Sequence, residues 1–570
     1  MGNLYESIIG RAAGGKMPGL PPTKASAAVV LWRRRASGGA GPAGHAGHAG
    51  DIEVYWIKRS EKVAFMGGWH AFPGGGLSRS DAGVPVQGAP AGLAGPDGET
   101  AEPAAGWPES LRAGDEDPDI VPGLLACALR ELFEETGVLL SNPPVPEAQL
   151  GEARRALLAG ERPFAEILES LGTSADASRL VWAGRWVTPP FAPVRFDNRF
   201  FLLEWPESEP VQPSVIPGEV ESGEWVDPGA AWASWHRGDV IAAPPILHIL
   251  EVLAQDGPDA GGKGLPRLRD PGETNLGPLR RVEMRPGVLM FPLATYTLPP
   301  ASTTNTFLLG TGDCVLVDPG SPHDVENDRL ERALAAAREK LGRRVTAIWL
   351  THHHPDHVGG VERLRRSLGV PVLAHPLTAE RLSGRGIRMD GELIDGQLVE
   401  LAGPAGGPAF PVRVIHTPGH AQGHLCFLEE TQRSLLAGDL VAGVGTIVVD
   451  PPEGDMDDYL ASLDKMIALA PRTLFPAHGP TAKDAVGKLR EYVQHRLWRE
   501  EKVIAAWNAG LRTPAQMVGQ VYDDVPKEAH GIAQRQILAY LLRLHRAGRI
   551  EGPLPKDSGL RQLLGRFLGR

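Results

Sequence analysis

Cysteine is scarce in this chain. Its 570 residues include three, Cys127, Cys314 and Cys426, far apart from one another. So few, so widely spread, exclude a disulfide framework and a zinc knuckle. Cys314 and Cys426 sit in apolar runs and read as core residues. No run of about 20 apolar residues occurs, which excludes a membrane-spanning helix. Met1 to Pro22 lacks the basic segment and apolar run of a secretory leader. Together these absences lead us to expect a protein of a reducing compartment, the cytoplasm, with no membrane partner. Glycine and proline, by contrast, number 70 and 52. That abundance fits long loops, because the stretches between them keep clear apolar strands. The length predicts about three or four domains. The net charge is −11, yet Ala485 to Arg570 carries 15 Lys and Arg against 8 Asp and Glu. A basic segment on an acidic body suits a polyanion-facing surface, and equally a solvated helical face.

The densest chemistry lies in Thr351-His352-His353-His354-Pro355-Asp356-His357. The apolar run Val345 to Leu350 leads into it and Gly359-Gly360 follows, which predicts a strand ending in a ligand-bearing loop. Imidazoles and a carboxylate crowded on one loop desolvate each other unless a cation sits among them. Histidine with carboxylate is the ligand set that zinc and related ions favour. Four more strand-end loops carry residues of the same kind. Cys314 to Val317 ends in Asp318, His416-Thr417-Pro418-Gly419 ends in His420, Leu435 to Gly438 ends in Asp439, and Leu474 to Ala477 ends in His478.

This ordered set resembles the metallo-β-lactamase superfamily over about residues 280 to 480. The resemblance implies an αββα sandwich with two metal ions, zinc or similar. One would be held by His352, His354 and His420, the second by Asp356, His357 and His478, with Asp439 bridging. Asp318 resembles the family's ligand-orienting Asp. Two such ions about 3.5–4 Å apart make a shared water acidic enough to attack a carbonyl or phosphoryl group, and Asp356 would orient it. His353 and His424 are left over, with His424 a candidate proton donor to a leaving group. Within the superfamily, Asp457 to Leu463, Lys488, Tyr492, His495-Arg496 and Arg499-Glu500 resemble the β-lactamase-like endoribonuclease branch, which acts on single-stranded RNA. That branch carries a small winged-helix domain. Here Val503 to Ala509 reads as a helix, Thr513-Pro514 caps the next, Ile532 to His545 is apolar at helical spacing, and Gly548-Arg549-Ile550 resembles the wing. The alternative for this tail is a packing or dimerisation module.

A second chemistry occupies the first half. Arg130-Glu131-Leu132-Phe133-Glu134-Glu135-Thr136-Gly137-Val138 lies in an Ala-rich helical stretch. On a helix, Glu131, Glu134 and Glu135 share one face. Carboxylates gathered so closely repel each other unless a hard cation such as Mg²⁺ or Mn²⁺ sits between them. The string resembles the second half of a Nudix box, with Pro73-Gly74-Gly75-Gly76 as the first half. Asp81 stands where the family has Glu, and Ala82 to Leu129 replaces a much shorter spacer. A long insert there, with Trp186 to Pro189, Arg195-Phe196-Asp197 and Glu224-Trp225, resembles the peroxisomal coenzyme A diphosphatase-like branch over about residues 25 to 255. The resemblance implies an α/β/α sandwich that hydrolyses a pyrophosphate-containing small molecule, a nucleoside diphosphate-X or a coenzyme A-like compound. Glu131, Glu134 and Glu135 would hold the metals and supply the catalytic base. Arg130 would clamp Glu134, and Glu219, Glu221 and Glu224 are candidates for a further carboxylate.

We therefore expect an α/β multidomain protein. Residues 1–255 form a Nudix domain with an insert at about 82–122, and 256–275 a linker. Residues 276–484 form a metallo-β-lactamase-like domain, and 485–570 a winged-helix-like domain and tail. The Ser37 to Gly50 stretch, with His45 and His48, reads as a loop. Three functions are consistent with this plan. One is a Nudix diphosphatase joined to a ribonuclease-like domain. Another makes the C-terminal half an acyl-thioester hydrolase of the glyoxalase II kind. The last makes the Nudix half a non-catalytic nucleotide sensor.

Overall fold

A computed structural model describes residues 22–35, 52–63, 66–88, 90, 120–189, 192, 194–259, 262–270, 275–552 and 554. The loop bearing His45 and His48, residues 91–119 of the insert, the chain before Pro22 and the last residues of the tail lie outside them. The chain divides into two compact units. One comprises Leu20–Asn275 with Arg280–Pro286, the other Leu276–Leu279 with Gly287–Arg570.

The first unit is built on β1 (Thr23–Arg34). Successive side chains of a strand point to opposite faces, and both faces of β1 are apolar. Ala27, Val29 and Leu31 enter one core with α1 (Ile120–Thr136), through Leu125, Leu129 and Phe133. Ala28, Val30 and Trp32 enter another with α2 (Pro244–Asp256), through Ile246, Leu250 and Leu253. A sheet buried on both sides by helices is the expected α/β/α sandwich. The strand order is β6-β2-β1-β5-β4, with β2 Ile52–Arg59, β4 Val181–Val187, β5 Arg195–Glu204 and β6 Val220–Val226. β5 runs parallel to β1. The glycine strand β3 (Gly74–Gly76) pairs along β1, beside the C-terminal half of α1.

The segment expected as a linker is largely part of this unit. Within 256–275, α3 (Gly264–Arg269) buries Leu265 and Leu268 in the α2 core. Arg269 Nε donates to Trp182 O at 2.9 Å. Two leucines three positions apart give even this Gly- and Pro-rich stretch a buried stripe.

The second unit packs two sheets face to face. The first contains β7 (Val288–Ala294), β8 (Thr303–Leu309), β9 (Asp313–Val317), β10 (Arg344–Trp349), β11 (Val372–Ala374) and β12 (Gly391–Glu392), in that order. The second runs β13 (Leu398–Leu401), β14 (Phe410–His416), β15 (Leu425–Glu429), β16 (Ser434–Gly438) and β17 (Thr473–Pro476). Trp349 meets Phe427, and Phe307 meets Phe475, across the sheet interface. Helices α4 (Asp324–Leu341) and α5 (Val361–Leu368) cover the first sheet through Leu330, Leu334, Val361 and Leu364. Helix α6 (Met456–Ala468) covers the second through Tyr459 and Leu463. This is the expected αββα sandwich.

The helix expected over Val503 to Ala509 is the end of a longer one, α7 (Ala485–Asn508). It is followed by α8 (Pro514–Val521), opened by a Thr513–Gln516 capping box, and by α9 (His530–Arg546). Trp507, Met517, Ile537 and Leu541 share one core with Leu440, Tyr459 and Leu463 of the sandwich. The expected wing forms no strand among the described residues. Ile550 is drawn into that core, and Arg549 pairs with Glu500 and Glu501.

Candidate active sites

In the second unit, every motif residue follows the C-terminal end of a strand: Asp318 after β9, His352 to His357 after β10, His420 after β14, Asp439 after β16 and His478 after β17. All are buried. The hydrogen bonds on their outer sides fix which ring nitrogen points inward. His420 Nδ1 lies 2.6 Å from Val448 O and His478 Nδ1 3.0 Å from Thr303 O. A carbonyl only accepts, so both Nδ1 atoms donate, and in the neutral rings each Nε2 presents a lone pair. His357 Nδ1 lies 2.8 Å from Asp318 Oδ2. Thr351 Oγ1 donates to the same carboxylate at 2.6 Å and accepts from His352 Nδ1 at 2.9 Å. Four imidazoles are thus held with Nε2 turned toward one centre.

Those nitrogens fall into two groups. His352 Nε2 and His420 Nε2 each lie 2.9 Å from His354 Nδ1. Asp356, His357 and His478 form the second trio, with donor atoms within 4.8 Å of one another. Asp439 stands between the groups. Its Oδ1 is 3.2 Å from His478 Nε2 and 3.5 Å from His357 Nε2, and its Oδ2 is 3.5 Å from His420 Nε2. His357 Nε2, His478 Nε2 and Asp439 Oδ1 are buried without a hydrogen bond. Buried polar atoms left this way mark a missing partner. Burial lowers the pKa of His352 well below the usual value and that of His420 to about 4, so both rings are neutral. Burial opposes charge on His357 and His478 too, but Asp439 beside them outweighs it and raises both. Paired lone-pair clusters astride one carboxylate fit two divalent cations.

Three features of this site differ from the sequence expectation or were missed by it. His424 Nε2 accepts the Asp439 backbone N–H at 3.0 Å, and its Nδ1 lies 2.8 Å from Thr417 Oγ1. The inward nitrogen therefore carries no proton, and His424 shapes the Asp439 turn instead of donating to a leaving group. Gly438 there has φ +50°, and a Cβ on it would lie 2.6 Å from His424 Nε2. Glu453 was not singled out, because it sits in a Pro-Pro-Glu-Gly stretch with no strand before it. Its carboxylate is 2.7 Å from His353 Nε2. Lys488, Tyr492, His495, Arg496 and Arg499 lie on α7, and several face inward. Arg496 is buried over the Tyr459 ring, and Arg499 forks onto Asp524 at 2.8 and 2.9 Å.

A cleft of about 340 Å³ opens from His420, Asp439 and His478 toward the C-terminal helices. Its walls are mostly apolar, with Leu298, Pro300, Val444, Ile447, Val525 and Ile532 among them, and His495, Arg496, Arg499 and Asp524 line it too.

In the first unit, α1 lays its carboxylates beside the glycine strand. Gly74 N donates to Glu135 Oε2 at 2.8 Å. A Cβ on Gly75 would lie 2.2 Å from Glu131 Oε1, so only glycine admits that carboxylate. Glu131, Glu135 and Glu219 line a cavity of about 370 Å³. Trp69, Phe72, Trp186 and Phe196 wall it, and Arg59, Arg280 and Arg281 also face it. Of the three candidates for an additional carboxylate, Glu219 is in place. Glu221 pairs with Lys58, and Glu224 accepts from Trp56 Nε1. Glu134 does not line the cavity with its helical neighbours; Arg130 Nη1 donates to Glu131 Oε1 at 2.8 Å and to Glu134 Oε2 at 3.0 Å, while the guanidinium forks onto Asp81 at 2.7 and 3.0 Å. Among the described residues, Glu131, Glu134 and Glu135 form no cluster with donors within 4.8 Å. Burial and then Glu131 raise Glu134 to about 7, and push Glu135 well above the carboxylate range. No helix of the described residues is long and apolar enough to cross a membrane.

Comparison with known proteins agrees with this geometry. Residues 24–253 match the NUDT19 Nudix domain, 299–478 the metallo-beta-lactamase superfamily and 513–552 the beta-lactamase associated winged helix domain. A beta-lactamase-like protein 2 homolog of Caenorhabditis elegans is 31% identical over 252 residues, 44% of this chain and 81% of that protein. An atrochrysone carboxyl ACP thioesterase of Aspergillus chevalieri is 31% identical over 237 residues, 41% of this chain and 70% of that protein. Among solved structures, a metallo-beta-lactamase family protein from Thermus thermophilus is 27% identical, covering 47% of this chain and 96% of its own, with a TM-score of 0.38. A NUDIX hydrolase from Alicyclobacillus acidocaldarius is 27% identical, covering 41% and 93%, with a TM-score of 0.30. The chain belongs to the metallo-β-lactamase superfamily, as a hydrolase whose lactamase-fold domain follows a Nudix domain of the NUDT19 kind and precedes a β-lactamase-associated winged helix.

Proposed function

We propose that the lactamase-fold site hydrolyses acyl thioesters and that the Nudix site hydrolyses a pyrophosphate-containing small molecule. The observation that carries the first reading is the apolar cleft leading from the paired histidine clusters. It suits an acyl chain better than a polyanion. Several of the cations that suggested RNA are engaged within the protein: Arg499 on Asp524, Arg535 on Asp450, and Arg546 on Asp455 and Asp457. The thioesterase named above supports the same class. In this reading His352, His354 and His420 hold one zinc ion, and Asp356, His357 and His478 the other, with Asp439 shared. Ions so placed supply a Lewis acid and a water that is acidic near neutral pH. The chain itself orients the acyl group along Val444, Ile447 and Ile532, and Asp356 directs the attacking water.

For the Nudix site, Glu131, Glu135 and Glu219 hold Mg²⁺ or Mn²⁺, and the facing arginines neutralise phosphate oxygens. The aromatic walls accept the group beyond the pyrophosphate.

The test is a panel of wild type, Asp356→Ala and Glu135→Gln, each offered acyl-coenzyme A thioesters, single-stranded RNA and nucleoside diphosphate derivatives. Thioester cleavage is expected in wild type and Glu135→Gln and lost in Asp356→Ala. RNA cleavage with that same dependence, and no thioester cleavage, would replace the acyl reading with the RNA one. Pyrophosphate cleavage is expected in all but Glu135→Gln. Binding of such compounds without turnover by wild type would make the Nudix half a sensor.

A further inference from the structure

After β16 the chain runs along the metal site as a strap, residues 447–455, before α6 begins. One side of the strap faces the histidines. Val448 O accepts from His420 Nδ1 at 2.6 Å. The Glu453 carboxylate pairs with His353, its Oε1 2.7 Å from His353 Nε2, and its Oε2 stands 3.9 Å from His354 Nε2, beyond hydrogen-bond reach. With Nε2 on that side, His354 turns Nδ1 to the centre. The strap is also tied to the turn that carries His420, since Asp455 N donates to Gly419 O at 2.8 Å.

The other side of the strap is fastened by α9. Arg535 Nε donates to Asp450 Oδ1 at 2.6 Å, and its Nη2 to Pro451 O at 2.7 Å. Gln536 Nε2 donates to Ile447 O at 3.1 Å, and Arg546 Nη1 to Asp455 Oδ2 at 2.7 Å. The second histidine trio is anchored elsewhere. His357 rests on Asp318 and His478 on Thr303 O, both contributed by the first sheet side of the sandwich.

We propose that this strap, fixed by Arg535 and Gln536 of the C-terminal helices, positions one metal subsite and not the other, through Val448 O on His420 and with Glu453 as the positioning residue that, bound to His353 and standing beside His354, holds the His loop. The proposal rests on the ligand assignment given under the proposed function. Groups that orient a ligating histidine typically change metal affinity about 10–100-fold when removed. The C-terminal helices thereby gain a part in the reaction beyond walling the cleft.

Full-length wild type, Glu453→Gln and Arg535→Ala would be loaded with Zn²⁺ and dialysed against a graded chelator. Zinc per chain, the visible spectrum of the Co²⁺-substituted protein and the melting temperature would be read for each. Wild type is expected to hold two equivalents. Both variants are expected to lose one of the two at about tenfold or more lower chelator concentration, keep the other, and show an altered Co²⁺ spectrum. Arg535→Lys should recover part of the loss. Two equivalents held as tightly as in wild type, with an unchanged spectrum, would overturn the proposal. So would loss of both equivalents together. If Arg535→Ala fails to fold, the near-isosteric Glu453→Gln decides. Fewer than two equivalents in wild type would instead sink the ligand assignment.

Discussion

At the residue scale, Gly75 separates folding from catalysis. A Cβ there would meet the far end of the Glu131 side chain, which can swing away, and not backbone. Gly75→Ala should therefore leave the melting temperature within a few degrees of wild type. It should still cut pyrophosphate hydrolysis by about a hundredfold, since a 1 Å misplacement costs that much; thermal denaturation and phosphate release check the two halves of this expectation. Asp81 behaves oppositely. Its carboxylate is fully buried against Arg130, and removing one partner of a buried pair costs about 3–5 kcal/mol. Asp81→Ala should lower the stability of the first unit by about that amount, as read by urea unfolding. The His352 to His478 set was legible in the sequence, because each member ends an apolar strand and spacing alone reveals it. Glu453 was not, because it reaches its site from a connecting segment and only the folded chain brings it there. Glu219 was one of three candidate carboxylates, and the choice among them needed the fold. The clamp of Arg130 on Glu134 was legible from their spacing; that Glu131 and Glu135 line the cavity and Glu134 does not was hidden, because helical spacing puts all three on one face.

At the scale of elements, β1 and the αββα strands follow from apolar runs bounded by turn residues. The same reasoning failed where burial is sparse. Leu265 and Leu268 suffice to pack α3, yet two leucines among glycines and prolines give no periodic signal long enough to read. The C-terminal helices show the reverse case. Their apolar spacing predicts helices but not the surface they bury. Ile537 of α9 is wholly buried in the core that holds Tyr459 and Leu463. Ile537→Ala should cost about 2–5 kcal/mol. Because the core is continuous, the loss should appear as one shifted transition for the sandwich and helices together, and calorimetry would reveal a separate early transition if they were independent.

For the whole molecule, two metal chemistries on one chain should respond to different ions. Extended chelation is expected to abolish thioester cleavage until Zn²⁺ is restored, because a nitrogen-rich set prefers it. Pyrophosphate cleavage should return with Mg²⁺ or Mn²⁺ alone, as oxygen donors require. Restoration of both activities by Mg²⁺ alone would contradict the two donor sets. Domain order was readable from the motifs. For the lactamase-fold site the choice between RNA and an acyl thioester was not, because a cavity wall is assembled from residues distant in sequence, such as Pro300, Val444 and Ile532.

The sparse cysteines provide a built-in clock for these units. Cys127 is buried in the first, and Cys314 and Cys426 are buried in the second. Burial raises the Cys127 thiol far above its usual range and the Cys426 thiol to about 12, so neither reacts while its surroundings stay closed. Alkylation with mass readout would thus time the opening of each unit separately, on the native chain and without an added label.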